Sequence, residues 1–433
     1  MKRDLVSELK KELYQYLDKR KAETINLCSQ MVKIPSENPP GDMTEIASFI
    51  TSWLGGRGFA VEAYEPEKGK INLVARTGGT EGPALILNGH MDVVSAGDPE
   101  RWDFPPYCGE VRGGRILGRG AADMKGGLAS IMMASTAILE VLGDSPGGLV
   151  LNVVSDEEVG GHYGSEWCVQ NSKVEGDACI IGEPTGANSS FVGEKGICWL
   201  RLESRGIPAH GSLPMLGENA IERLVKAFPI VKRLESERIE TPDGLSETIK
   251  ASQEFHVEME KKKGLTDKAK LRKIAAAIDH CTVNIGLISG GMKVNVVPES
   301  CTAEVDIRIP AGIASCKIKR HLEELLREEG LGDIRCKLLL ESDPNYSAPS
   351  QRVYTVLKEN VREVMGVDVA PILVTGGSDG RYFRLKGIPT VCYGPGGFLV
   401  AHAYNEYLLI DELLDATKVI AGTAADFITQ PAR

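Results

Sequence analysis

GLVLNVVSDEEVGG, residues 148–161, is an apolar run of strand length that stops in three consecutive acids. Two other stretches are built the same way. ALILNGHMDVV, residues 84–94, ends in His90 and Asp92, and ACIIGEPT, residues 178–185, reaches Glu183 just before Pro184. Apolar runs without alternation suit strands buried on both faces, the habit of parallel sheets covered by helices. Helical patterns are interspersed with them, over residues 43–55 and in the small-residue-rich MKGGLASIMMASTAILEVL, residues 124–142. The expected fold is therefore α/β, a mainly parallel sheet with helices on both faces. Ligands of such sheets bind beyond the carboxyl ends of the strands, where these polar groups fall.

The pattern changes near Phe191. GICWLRLESRG (196–206) alternates, and NAIERLVKAFPIVKRLESE (219–237) reads as a helix. Two strands follow, CTVNIGLISGG (281–291) and SCTAEVDIRI (300–309). An amphipathic helix, CKIKRHLEELLREEG (316–330), precedes a closing strand, IRCKLLLES (334–342). The order β-α-β-β-α-β is that of a ferredoxin-like α+β module. Residues 236–275 are rich in Lys and Glu and read as a surface insertion. The expected division is a first domain over 1–190, an inserted module over 191–342, and the return of the first domain over 343–433. The returning part carries the loops TGGSDGR (375–381) and GPGGFLVAHAYNEY (394–407).

With 433 residues, 42% hydrophobic and 25% charged, the chain has material for two or three domains with ordinary cores. A net charge of −10 argues against nucleic acid or an anionic membrane as partner, since both call for basic surface. No two of the ten cysteines are spaced C-x-x-C, which argues against a zinc ribbon or a thioredoxin-type motif. The N-terminal MKRDLVSELKKELYQYLDKRKAE lacks the apolar core of a secretory signal. The longest apolar runs are strand-sized, against the ~20 residues that span a bilayer. The expectation is a cytoplasmic protein with reduced thiols used mostly as core filler.

The polar strand ends each have a bland explanation. Asp123, just before a helix, suits an N-cap, and Asp156-Glu157-Glu158 suits a solvated turn. Their shared location is the stronger signal. His90, Asp92, Glu157, Glu158 and Glu183 all fall at one predicted edge of one sheet, with His402 in a Gly-rich loop. Imidazole and carboxylate ligands suit zinc, and also cobalt or manganese. One Asp shared by two ions, with a His and a further carboxylate on each, makes a two-metal site. Glu157 or Glu158 is then left over as a general base. His162, His256, His280 and His321 read as surface or boundary residues.

NGHMDVV, GRGAADMKGG, SDEEVGG, GEPT, PAHGSLPMLGENA, GGMKVNVVP, DIRIP, TGGSDGR and AHAYNEY occur in this order between residues 88 and 407. Through them the chain resembles the zinc-dependent aminoacylase and metallopeptidase family that includes acetylornithine deacetylase, succinyl-diaminopimelate desuccinylase and glutamate carboxypeptidase. The resemblance implies a cofactor of two divalent metal ions, zinc, with cobalt or manganese as alternatives. It implies His90, Asp123 and Glu183 on one ion, and Asp123, Glu158 and His402 on the other. Glu157 is implied as acid/base, Asp92 as the group that orients His90, and Asp123–Met124 as a cis peptide. The inserted module is implied to be a lid and dimerisation domain, so that the protein is a homodimer. In it, His210 would steady the tetrahedral oxyanion in the other subunit's site, Asn295 would assist there or bind substrate, and Arg308 would grip a substrate carboxylate. Gly376, Gly377 and Ser378 offer backbone donors to substrate, with Arg381 nearby.

The activity so implied is hydrolysis of the amide bond of an N-acyl amino acid by a metal-bridging water with Glu157 as general base. A dipeptidase or carboxypeptidase of the same family is the near alternative, and an inactive binding protein on this scaffold the far one. The partner is a small N-acyl amino acid or dipeptide, with no nucleic acid and no membrane. Gly397, Phe398, Leu399 and Val400 stand where many relatives carry an acid or amide. A basic ornithine side chain would want such a group, so this loop points to a more apolar substrate.

Overall fold

A computed structural model describes residues 2–143, 145–237 and 239–429, with side chains from residue 8 onward. The chain forms two compact units. The first comprises residues 1–192, 347–372 and 377–433, and the second residues 193–346 and 373–376.

The sheet of the first unit runs in the order Val61–Glu67, Lys70–Gly78, Gly148–Val154, Leu85–His90, Ala178–Ile181, Thr390–Cys392, Ser189–Glu194. Its four central strands, from Gly148–Val154 to Thr390–Cys392, are parallel. They are the apolar runs of the sequence, and every residue of Leu85–His90 and of Ala178–Ile181 is buried. The outer strands pair antiparallel, so the sheet is mixed at its margins and parallel where the site forms. Helices cover both faces. Helix Gly126–Leu142 is buried along almost its whole length against helix Ile410–Thr429 and the strands. This is the environment that an all-round apolar helix requires. A Cβ on Gly127 would lie 1.7 Å from the carbonyl oxygen of Gly182. Glycine there lets the start of this helix close onto the strand end that carries Glu183.

The second unit holds an antiparallel sheet ordered Thr282–Gly290, Ser300–Ile309, Gly196–Arg205, Arg335–Ser342. Ser300–Ile309 alternates strictly, with Cys301, Ala303, Val305, Ile307 and Ile309 buried. These face a core shared with Leu224, Ala227 and Val231 of helix Ala220–Arg233 and with Ile318, Leu322 and Leu325 of helix Ser315–Glu328. Strand order and helix placement are those of a ferredoxin-like module. The Lys/Glu-rich insertion folds into helices Ser246–Lys262 and Lys268–Ala276, and Thr248, Ile249 and Ser252 of the first are buried. All ten cysteines are free; eight are buried, Cys108 is half-buried and Cys316 is exposed.

Candidate active site

Parallel register aligns the strand ends. His90 lies opposite Val154, and Asn88 opposite Ile181, so the residues that follow these strands emerge along one edge. His90 closes its strand, Glu157 and Glu158 sit in the single turn after Val154, and Glu183 comes two residues after Ile181. Asp123 lies in the turn Ala121–Lys125 that leads into helix Gly126–Leu142, and the Asp123–Met124 peptide is cis. His402 is in the loop after Thr390–Cys392, at a left-handed φ of 61°.

Asp123 stands between the two imidazoles. Its Oδ1 lies 3.3 Å from His90 Nε2 and its Oδ2 lies 3.2 Å from His402 Nε2. Glu183 Oε1 is 3.8 Å from His90 Nε2, and Glu158 Oε2 is 3.2 Å from His402 Nε2. The result is two half-sites, each with one imidazole and one carboxylate, sharing Asp123. His90, Asp123 and Glu158 can each offer a ligand atom within 4.8 Å of the others. His90 Nε2 and Glu183 Oε1 are buried without a hydrogen-bond partner among the described residues. Such orphaned groups are costly unless something else binds them, and an N/O donor set of this kind fits a divalent ion such as zinc, cobalt or manganese.

Asp92 holds the frame. Its backbone carbonyl accepts from His90 Nδ1 at 2.9 Å, its Oδ1 accepts from the Glu157 N–H, and its Oδ2 from the Glu158 N–H and Asn38 Nδ2. Fixing the far nitrogen of an imidazole in this way aims Nε2 into the site.

The electrostatics show an excess of negative charge. Burial pushes the Glu183 carboxyl up to about 8, with Asp123 adding to it. Burial also raises Glu157 well above the carboxylate range; His90 opposes this, while Glu183, Asp379 and Glu158 reinforce it. Glu158 is raised by burial as well. Hydrogen bonds to Asp123 and Glu158 lift His402 to about 10. Burial works against charging His90, but Asp123 and Asp92 more than offset it and hold the ring well above its usual range. Asp123 is held low because the two imidazoles outweigh its burial. Crowded carboxyls of this kind favour a cation among them.

A family model described as Peptidase family M20/M25/M40 matches residues 86–426. The chain belongs to that family. It is a family of metal-dependent hydrolases, in keeping with the resemblance read from the motifs. Among curated relatives, a probable succinyl-diaminopimelate desuccinylase of Staphylococcus epidermidis is 26% identical over 90% of this chain and 94% of its own length. The N-formyl-4-amino-5-aminomethyl-2-methylpyrimidine deformylase of Bacillus subtilis is 26% identical over 94% and 95%. A probable carboxypeptidase of Aspergillus clavatus is 30% identical over 90% and 85%. Among solved structures, the M20 family metallo-carboxypeptidase Sso-CP2 of Sulfolobus solfataricus shares the fold with a TM-score of 0.77, at 21% identity over 94% of this chain and all of that one. The Bacillus subtilis YXEP protein, described as a dinuclear metal-binding peptidase of the M20 family, aligns with a TM-score of 0.68 at 15% identity over 95% and 99%.

In this M20/M25/M40 family chain, His90, Asp92, Asp123, Glu157, Glu158, Glu183 and His402 come together in the first unit. Gly377 and Ser378 also belong to that unit, and Ser378 is buried with its Oγ accepting from the Gly380 N–H. His210, Asn295 and Arg308 belong to the second unit. His210 is exposed, its Nδ1 2.7 Å from Ser212 Oγ; Asn295 is exposed; Arg308 Nε donates to Asp306 at 2.9 Å. His162, His280 and His321 pair with Glu166, Asp279 and Glu237. His256 departs from the surface reading, because its Nε2 lies 3.1 Å from the carbonyl oxygen of Leu373.

Two further residues serve this site and were not legible as such. Glu406 is fully buried, accepts from the Ala122 and Asp123 N–H groups at 2.9 and 3.1 Å, and pairs with Arg119 at 2.5 Å. Asp379 is buried, accepts from Asn88 Nδ2, and burial pushes its carboxyl up to about 6. The signal for both was an acid inside a motif, NEY and GSDGR, with no indication of which distant group it meets.

Proposed function

We propose that this protein is a two-metal amidohydrolase that removes the acyl group from an N-acyl amino acid. The observation that carries the reading is Asp123, which offers one oxygen to each of two half-sites. His90 and Glu183 would hold one ion with Asp123, and His402 and Glu158 the other. When bound, such ions supply Lewis acidity and make water a better nucleophile at neutral pH. Glu157 takes the proton of the attacking water and delivers it to the leaving nitrogen. Asp92 keeps His90 aimed and ties the Glu157 and Glu158 backbone to the same carboxylate.

Substrate contacts are assigned to the Gly377-Ser378 loop, to Arg308 for the substrate carboxylate, and to Asn295. His210, from a second copy of this chain, is assigned to the developing oxyanion. The desuccinylase and deformylase relatives support acyl removal. Phe398 and Leu399 remain partly exposed in the loop leading to His402, and the Phe398 ring packs edge-on to Phe191 at 6.3 Å. That apolar surface favours an apolar acyl group or side chain. The carboxypeptidase relative, at 30% identity, supports a second reading as a peptidase releasing a C-terminal residue.

The test is a panel of N-acetyl, N-succinyl and N-formyl amino acids and dipeptides, with zinc, cobalt or manganese added. Turnover is expected, with apolar amino acids preferred. Glu157→Gln is expected to lose ~10²-fold or more of kcat while retaining metal. No turnover on any member of the panel, or full activity of the variant, overturns the reading.

A further inference from the structure

The inserted helix Ser246–Lys262 does more than cover surface. Both backbone groups of Leu373 are taken by its side chains. The Leu373 N–H donates to Ser252 Oγ at 2.8 Å, and His256 Nε2 lies 3.1 Å from the Leu373 carbonyl oxygen. Ser252 is fully buried and passes its own proton to the Thr248 carbonyl at 2.6 Å, which fixes the hydroxyl as an acceptor toward Leu373. Burial holds the His256 imidazole below its ordinary pKa, so the ring is neutral and Nε2–H is the donor that the carbonyl needs. The chain just after the insertion is held by the start of the second unit. Lys195 Nζ donates to the carbonyls of Ala277 and His280 at 2.6 and 2.7 Å, and the Lys195 N–H donates to the Val374 carbonyl at 3.1 Å.

These contacts fall on special positions. Residues 373–376 are the short return of the second unit, and Gly193–Lys195 is where that unit begins. The chain leaves residues 373–376 directly into Gly377, Ser378 and Asp379, and Asp379 is among the charges that act on Glu157. A strand residue ordinarily satisfies its N–H and C=O on neighbouring strands. Leu373 lies in strand Ala370–Val374, which pairs with Ser189–Glu194; at Leu373 itself one helix of the insertion supplies both partners, so Ser252 and His256 hold the main chain of this strand four residues before it enters the Gly377–Asp379 loop.

We infer that Ser252 and His256 are positioning residues, a clamp by which the insertion fixes the main chain at Leu373 and thereby the loop Gly377–Asp379. The clamp itself stands on hydrogen bonds within the second unit. Its effect on turnover rests on the hydrolase reading above.

The test uses the full-length, metal-loaded protein and four variants: Ser252→Ala, His256→Leu, their combination, and His256→Gln, whose amide reaches where Nε2 does. Hydrogen exchange followed by mass spectrometry is read over peptides spanning residues 370–382. His256→Leu and the double variant should exchange there at least several-fold faster, with other peptides unchanged and the thermal midpoint of the rest of the protein preserved. His256→Gln should restore wild-type exchange. With any substrate that the panel yields, His256→Leu and the double variant should raise KM about tenfold while metal content is unchanged, and His256→Gln should return KM to the wild-type value. Exchange in 370–382 that is identical in wild type and the double variant overturns the clamp, whether or not a substrate is known. Faster exchange everywhere, without rescue by His256→Gln, also overturns it, since that outcome is global destabilisation. A protein that hydrolyses nothing on the panel but shows the local, rescued exchange change leaves the clamp standing and refutes the hydrolase reading alone.

Discussion

Replacing Glu406 with Ala separates holding the site in place from performing its chemistry. The carboxylate touches no half-site imidazole, yet it accepts from the Ala122 and Asp123 N–H groups and neutralises Arg119. Arg119 and Glu406 side chains are 3% and 0% exposed, so water cannot substitute for either. Removing one member of a buried ion pair costs about 3–5 kcal/mol, because the other charge stays behind unpaired. Among the described residues, Arg119 keeps the Ala403 and His402 carbonyls, at 3.1 and 3.4 Å, and the face of the Trp102 ring. With about 2.1 cal/mol/K of unfolding entropy per residue over a unit of roughly 275 residues, the expected fall in Tm is about 5–9 °C. The Asp123 turn also loses two anchors, and loss of such outer support typically lowers metal affinity or activity by ~10–100-fold. Scanning calorimetry and a zinc titration read the two effects. Glu406→Gln keeps an acceptor for the backbone groups and should recover part of the affinity but less of the Tm. A Glu406→Ala protein with wild-type Tm and wild-type metal affinity would refute the assignment of Glu406 as the anchor of Asp123.

Three more outcomes follow from other parts of the molecule. Gly127→Ala drives a Cβ to 1.7 Å from a backbone carbonyl; it should cost ~1–3 kcal/mol in urea unfolding, whereas Gly55→Ala, with open space around it, should be close to neutral. Burial lowers Lys195 to about 8 against 10.5 for the free side chain. Between those values the unfolded chain binds more protons, so stability rises with pH in that window. The stability of wild type minus that of Lys195→Met should rise from about pH 7.5 to about pH 10, and a pH-independent value would contradict the buried charge. Among the thiols, Cys316 is exposed and Cys108 half-buried, while burial pushes Cys28, Cys168, Cys198 and Cys336 up to about 12. A thiol-specific chromogenic reagent should find one fast thiol that disappears in Cys316→Ser, and fast labelling of several thiols in the native protein would contradict the buried assignment.

The strand ends of the candidate site were legible because burial on both faces leaves a continuous apolar run, and the abrupt acids that end such runs mark a sheet edge. His90, Glu157, Glu158 and Glu183 were found this way. The ferredoxin-like order of the second unit was legible for a related reason, since alternation in Ser300–Ile309 and helical periodicity in Ser315–Glu328 are local properties. Composition misled at the insertion. Its Lys and Glu content reads as a solvated face, yet Ser252 and His256 point to the backbone of Leu373.

Sequence alone determined which segments are strands and helices and which residue types can ligate a cation, because periodicity and side-chain chemistry are carried by neighbours along the chain. Tertiary structure decided that Asp123 faces both imidazoles, that Glu406 supports it across 283 positions, and that Asp379 is buried beneath Asn88. Those pairings depend on which strand ends lie side by side and how closely a helix approaches them, and no local pattern encodes a distance between groups that meet only when the chain has folded.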